Sequence, residues 1–323
     1  MERRPSLKSR QLDEPASLSA AADRRPLAAL QVGRPSRYRF GLYWMLVPYL
    51  LGTLLLVAVP AALTFGLAFT QYDALSAPTW RGLANFDTII HERLFRVAVQ
   101  NSLYFVALAV PLRTLGALGL ALLLNHRRRG VGIYRVSAYL PTVIPDVAYA
   151  LIWLWIFNPV YGPLNIVLGM AGLPTPAWLV REHGEAALVI MSLFQIGEGF
   201  IVLLAGLQEM PQDYFDAAAV DGGGRFRTFR YITLPLLAPW LVLLTLRDII
   251  VSAQSTFTPA YLMTGGDPYY STLFMPLLIY EEAFDRFRFG LGSAMMVVMF
   301  AGIGLLLFLV YKVLGGWGYS SDY

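Results

Sequence analysis

Pro211-Gln-Asp-Tyr-Phe-Asp216-Ala-Ala-Ala-Val-Asp221-Gly-Gly-Gly-Arg225, running on to Ile232-Thr-Leu-Pro235, interrupts a chain that is apolar on both sides of it. Pro211 suits the first turn of a helix, Asp213 and Asp216 favour its amino-terminal dipole, and the three alanines that follow are strong helix formers. Gly222, Gly223 and Gly224 then stop the helix. A second short helix is expected through Arg225–Tyr231, before Pro235 opens the next apolar run. The product is a compact helix-turn-helix whose small alanines let another backbone approach closely, which large side chains would prevent.

Outward from this loop the chain is membrane material. Of 323 residues, 57% are hydrophobic and only 14% charged, against about 25% charged in a soluble domain. The mean hydropathy of +0.55 agrees. Six apolar stretches are long enough to cross about 30 Å of hydrocarbon as helices. They lie near Phe40–Phe69, Val97–Asn125, Val136–Phe157, Ala186–Glu209, Leu236–Met263 and Gly290–Leu314. Pro48 and Pro60 predict a kink or tilt in the first. Lipid offers backbone groups no partner, so runs of this length must be helical. The expected fold is therefore an all-α membrane protein with six transmembrane helices. There is no cysteine, and His91, His126 and His183 are scattered, which excludes disulfide frameworks, thiolate zinc sites and a histidine metal cage.

Residues 1–36 are different, with Pro5, Pro15, Pro26 and Pro35 among Arg, Ser and Ala and no apolar periodicity. Too little apolar surface is available there to offset ordering entropy, so a disordered cytoplasmic tail is expected, followed by a transmembrane domain over residues 37–323. No signal-peptide core is present, and the first helix is read as an uncleaved anchor. Lys and Arg number 17 in the tail and the connections on its side of the membrane, and 6 in the opposite connections. That bias puts both termini in the cytoplasm. Two outer connections, Trp80–Phe86 and Asn158–Trp178, carry aromatic, Gly and Pro residues and read as ordered caps or interfacial anchors. No internal repeat is visible.

The loop resembles the "EAA" loop of ABC importer permeases: Asp216-Ala-Ala, Gly222 six residues on, then Ile232-x-Leu-Pro235. The wider chain resembles the carbohydrate-importer branch, the family of the maltose and glycerol-phosphate permeases. The supporting matches are Gly82-Leu-x-Asn-Phe86, Leu140-Pro-x-x-Ile-Pro145, Tyr161-Gly-x-x-Asn165 and Gly206-Leu-Gln-x-x-Pro211. Met263-Thr-Gly-Gly266 with Pro268, and Tyr280-Glu-x-Ala-Phe284 with Gly290-x-Gly-Ser-Ala294, complete an ordered set over about 280 residues. The resemblance implies a type I ABC importer permease core in a bacterial plasma (inner) membrane. Its partners would be a second homologous permease, an ABC ATPase dimer and an extracytoplasmic solute-binding protein; nucleic acid plays no part. It also implies that the segment at about 210–235 is the coupling loop, in which Asp216, Ala217, Ala218 and Gly222 dock onto the ATPase. The family's glutamate is replaced here by Asp216, one methylene shorter, and a carboxylate there also favours its own helix dipole. No phosphate-binding Gly-x-x-x-x-Gly-Lys-Ser/Thr motif exists, and Lys8 and Lys312 are the only lysines. The chain is thus expected to bind no cofactor itself; ATP and Mg²⁺ would be held by the ATPase.

Five ionisable residues sit roughly in the middle of the apolar stretches: Arg113, Asp146, Glu198, Arg247 and Asp248. Each is expensive to bury in lipid, at about 2.5–3.5 kcal/mol on insertion scales, so pairing inside the bundle is expected of Arg113, Asp146, Arg247 and Asp248. Arg247 and Asp248 lie about 100° apart on a helix and are expected to find partners on other helices. Gln195 and Glu198 stand at i and i+3 with Gly197 and Gly199 beside them; Asp248, Ser252, Ser255 and Thr256 form a second polar stripe, with Gln254 adjacent. Such stripes suit solute hydroxyls. By position in the resembled family, substrate contact falls on Gln195, Glu198, Ser252 and Thr256; the alternative is that Glu198 pairs with Arg113 or Arg247 and the hydroxyls bond their own helix. Trp153-Leu-Trp155-Ile-Phe157 reads as an interfacial belt or, alternatively, a sugar-stacking surface. Glu281, Glu282 and Asp285 read as a solvated or docking face rather than a cation site.

Two functions compete. One is the membrane-spanning permease subunit of an ABC importer for a sugar or related polyol, a transporter subunit and not an enzyme. The other is a stand-alone ion-coupled secondary transporter using the midplane carboxylates. The helix-turn-helix favours the first, because a lone carrier needs no docking element. A membrane enzyme is disfavoured, since no nucleophile–base pair or metal cluster can be assembled from the sequence.

Overall fold

The computed structural model describes residues 35–126, 129–180 and 183–318. The expected tail lies almost wholly outside the described residues. The described residues up to Val59 form one unit and those from Pro60 onward another.

Helix α1 (Tyr43–Leu67) is followed by a short strand pair, β1 (Thr70–Gln71) and β2 (Thr79–Trp80), antiparallel with Thr70 opposite Trp80. Then come α2 (Ala84–His91) and α3 (Arg93–Leu124), α4 (Val131–Val143) and α5 (Asp146–Ile156), and α6 (Pro163–Met170). The second half holds α7 (Gly184–Leu193), α8 (Gly197–Glu209), α9 (Gln212–Val220), α10 (Arg225–Thr264), α11 (Met275–Tyr280) and α12 (Phe289–Leu314).

Four of these helices, α1, α3, α10 and α12, are individually long and apolar enough to cross a membrane; α4 with α5, and α7 with α8, qualify only as bent pairs. Counted with each bent pair as one crossing, the spans number six, as expected, and two of the six are broken within the membrane stretch. Between α4 and α5 the axis turns by 102°, because Ile144, before Pro145, is forced out of the helical region (φ −70°, ψ 128°). Between α7 and α8 it turns by 41° across Phe194–Ile196. The prolines in the unbroken spans act differently. A π turn at Leu54–Ala58 precedes Pro60, one at Phe229–Thr233 precedes Pro235, and one at Ala260–Thr264 follows Pro259. A proline lacks the N–H that would continue the ladder, and a wider turn absorbs the misfit without ending the helix. The short helix expected at Arg225–Tyr231 is therefore not separate: it is the first part of the 40-residue α10.

Helix α3 is the spine of the second unit, packed against α7, α8 and α10, while α10 also packs along α12. Small residues set the closest approaches. A Cβ on Gly197 would stand 2.8 Å from the Cα of Tyr139, and one on Gly199 would press Leu244 at 3.1 Å. Without hydrophobic drive between helices in lipid, such close contact is what holds α8 against its neighbours.

The connections around Trp80–Phe86 and Asn158–Trp178 are built structures. Asn85 Nδ2 donates to the carbonyls of Ala68 (2.9 Å) and Thr70 (2.8 Å), and the Trp80 ring stacks on Phe69 at 5.6 Å. Asn165, 5% exposed, donates to the Pro159 and Pro176 carbonyls and accepts from Trp178 Nε1 at 2.8 Å. Asp73 caps its own turn: bonds from the Ser76 amide and hydroxyl, then the Leu75 amide, hold its carboxyl below the ordinary range.

Candidate functional site: a charge cluster and a capped loop helix

Two places concentrate the polar chemistry of the described residues. The first lies where α3, α8 and α10 meet. Arg113 on α3, 6% exposed, donates Nη2 to Asp248 Oδ1 at 3.1 Å and Nη1 to Ser252 Oγ at 3.2 Å. Asp248 Oδ1 also receives Arg247 Nη1 at 3.2 Å, and Arg247 Nη2 pairs with Glu198 Oε2 on α8. The result is a chain of alternating sign, Glu198–Arg247–Asp248–Arg113, with no net charge. A guanidinium reaches further than the 100° helical offset suggests, so the sequence neighbours Arg247 and Asp248 touch each other as well as their partners on other helices.

Gln195 joins this cluster. With Ile196, Gly199 and Leu244 it lines a cavity of about 10 Å³ that also touches Arg113, Arg247 and Asp248, room for roughly one water. Arg113 Nε is buried there without a hydrogen-bond partner among the described residues. Glu198 and Arg247 are the accessible part, with side chains 49% and 42% exposed, whereas Asp248 and Ser252 are sealed in the bundle. Thr256 is also buried, and its hydroxyl has no partner among the described residues. The four residues expected to touch solute thus divide: Gln195 and Glu198 at an accessible edge, Ser252 holding Arg113, and Thr256 closed off.

Three other expectations are corrected here. Asp146 does not join an intramembrane pair; the bend at Pro145 places it, exposed, in the first turn of α5, with no ion pair among the described residues. In the aromatic run only Trp155 points outward, 55% exposed, while Trp153 and Phe157 are core residues whose rings lie 4.9 Å apart, tilted by 39°. Glu282 is 2% exposed rather than solvated, paired with Arg286 and, at 3.5 Å, with Arg288. Several anchors went unread in the sequence. Asn101 Nδ2 donates to the carbonyls of Tyr270 and Leu273, the Met275 amide donates to Ser102 Oγ, and Tyr149 Oη donates to the Met191 carbonyl. The adjacent polar pair Asn101-Ser102 inside an apolar stretch was the signal available.

The second place is α9. Its end is a Schellman motif: Gly222 takes φ +72°, its amide bonds the Ala219 carbonyl at 3.2 Å, and the Gly223 amide bonds Ala218 at 2.8 Å. The loop is thereby a rigid elbow rather than a flexible linker. On one side a cleft of about 500 Å³ is lined by Tyr214, Ala217 and Ala218 of α9 and by Arg227 and Tyr231 of α10. On the other, a cleft of about 970 Å³ is lined by Gln212 and Phe215 together with Arg135 and Gln208. Asp216 is exposed and accepts a long bond, 3.4 Å, from Gln212 Nε2. No group of three or more metal-ligating side chains exists among the described residues.

A family model spans the bundle from Arg113 on α3 through α12. The model for binding-protein-dependent transport system inner membrane components matches residues 113–316. The chain belongs to this family. Among curated relatives it is 34% identical over 281 residues to the probable ABC transporter permease protein YesP of Bacillus subtilis, covering 85% of this chain and 90% of the relative. It is 32% identical over 278 residues to the trehalose/maltose transport system permease protein MalF of Thermococcus litoralis, covering 84% and 92%. A permease of sulfoquinovosyl glycerol transport, SmoG of Agrobacterium fabrum, is 32% identical over 264 residues, covering 80% and 84%. Among solved structures, a bacterial ABC transporter that imports the acidic polysaccharide alginate superposes with a TM-score of 0.75 at 21% identity, covering 86% of this chain and 96% of that one. The fold is that of an ABC importer permease. The permease is a membrane-embedded transport subunit, as its relatives are, and not an enzyme.

Proposed function

We propose that the permease carries a saccharide or related polyol across a bacterial inner membrane, as one of two homologous permease subunits driven by an ABC ATPase dimer. In this reading an extracytoplasmic binding protein delivers the solute. The ATPase holds ATP and Mg²⁺, and its closure moves α9 and re-orients the helices around a midplane passage. Both termini are cytoplasmic, as the Lys and Arg bias requires. The solute class is supported by relatives named for trehalose, maltose and sulfoquinovosyl glycerol.

The observation that carries the reading is the elbow at Ala217–Gly223: a capped, alanine-faced helix at the end of α8 and the start of α10, bordered by an open cleft. Rigid caps transmit displacement, and alanines admit a partner's backbone. Asp216, Ala217, Ala218 and Gly222 are the docking residues in this account. The solute edge is Gln195 and Glu198, with Arg247 holding the carboxylate. The test is a purified complex with its binding protein, screened for solute-stimulated ATP hydrolysis. Glu198→Gln in that complex is expected to weaken solute affinity and uptake while ATP hydrolysis persists; unchanged affinity and uptake would remove Glu198 from the solute site.

A further inference from the structure

The aromatic side chains near the carboxy-terminal spans form a line rather than a scatter. The rings of Phe257 and Tyr261, at the end of α10, are stacked with centroids 5.5 Å apart and 14° between planes. Tyr261 meets Tyr280 of α11 at 5.5 Å, and Tyr280 meets Phe284, in the π turn that follows α11, at 5.2 Å. Phe284 meets Phe289, at the start of α12, at 5.6 Å, and Phe287 lies 6.5 Å from Phe289. Core aromatics are normally covered, yet Tyr261, Phe284 and Phe287 are 48%, 57% and 55% exposed.

We propose that this line is a stacking track for the rings of the imported saccharide, running from the extracytoplasmic connection at Phe287 to Phe257. The proposal rests on the sugar-permease reading and its orientation, and adds a binding surface to it. A pyranose ring has apolar C–H faces and a hydroxyl rim, so it asks for an aromatic face with polar groups at its edge. Both are present: the line includes two tyrosines, Tyr261 and Tyr280, with ring centroids 5.5 Å apart, and Asp285 follows Phe284 in the same π turn. A membrane-interface belt spreads its aromatic residues around a protein at one depth; here consecutive rings touch along one path. The inner end adjoins the charge cluster in the chain, since Phe257 follows Thr256 and lies five residues after Ser252, the residue that bonds Arg113.

The test uses the assembled importer and its binding protein in proteoliposomes, with maltose, trehalose and alginate oligosaccharides as probes. If none of these stimulates ATP hydrolysis or uptake by the wild type, the sugar reading fails before the track is tested. With a transported saccharide in hand, Tyr261→Leu and Phe284→Leu are each expected to raise the uptake KM about fivefold. Phe284→Tyr should keep the wild-type value, and Tyr261→Phe, which keeps the ring but removes the hydroxyl, should fall between wild type and Tyr261→Leu. Phe284→Trp should show a saturable emission change on addition of that saccharide. Leucine variants with wild-type KM, or a tryptophan reporter blind to the saccharide, overturn the proposal and assign the rings to lipid. A loss of assembled complex with unchanged KM in what remains overturns it in favour of a subunit interface.

Discussion

Arg113 and Asp248 show what one side chain does at membrane depth. Both are buried, and each satisfies the other at 3.1 Å. Removing Asp248 strands the buried Arg113 without a counter-charge, at about 3–5 kcal/mol, whereas Asp248 keeps Arg247 when Arg113 is removed, and replacing both Arg113 and Asp248 by apolar residues of similar volume often costs far less. Asp248→Leu should lower the melting temperature of the purified complex sharply and Arg113→Met less so, and the double variant should lose less than the sum of the two. Additive losses would show that the pair is not a unit. Facing the aqueous passage proposed above, the half-exposed Glu198–Arg247 pair contributes about 0–1 kcal/mol, as water-exposed pairs do. Glu198→Gln should therefore leave thermal stability nearly unchanged, so a change in its transport reports on solute handling rather than on folding. The residues of this cluster were legible because charge within an apolar run must find a partner. Their connectivity was not, because side-chain reach is invisible in helical angles. Asp146 was misjudged for a related reason: it was counted into a span that Pro145 had already broken.

The elements that matter most are α9 and its cap. Gly222 at φ +72° suits glycine, and a side chain there costs roughly 1–2 kcal/mol. Gly222→Val should therefore loosen the elbow and uncouple the complex, seen as a fall in solute-stimulated ATP hydrolysis with the assembled subunits still present. Full stimulation in that variant would show that the cap transmits nothing. Asp216→Glu, which restores the longer carboxylate, should match or exceed the wild type in the same assay. The loop was readable in advance because proline, aspartate, alanine and glycine each act locally. The breaks within the spans were harder. Nothing in Phe194-Gln-Ile196 marks the end of a helix. Gly197 and Gly199, which stand beside Gln195 and Glu198 in the sequence, bring α8 against Tyr139 and Leu244. The π turns beside Pro60, Pro235 and Pro259 show why these prolines, unlike Pro145, bend a span without ending it.

At the scale of the whole molecule, the number and order of apolar stretches followed from composition and length, and orientation follows from where arginine accumulates. The chain has no cysteine, so single-cysteine labelling gives an unambiguous topology. Ser76→Cys should react with an impermeant maleimide in intact spheroplasts, and Gln212→Cys only after permeabilisation; the reverse pattern would invert the account. Its central claim is mechanical: the work of transport enters this subunit from an ATP-hydrolysing partner through α9. The most direct measurement is solute accumulation in liposomes containing the permease alone, compared with liposomes containing the assembled complex supplied with ATP and the binding protein. The account predicts uphill accumulation only in the second preparation; accumulation against a gradient by the permease alone, driven by an ion gradient, would contradict it.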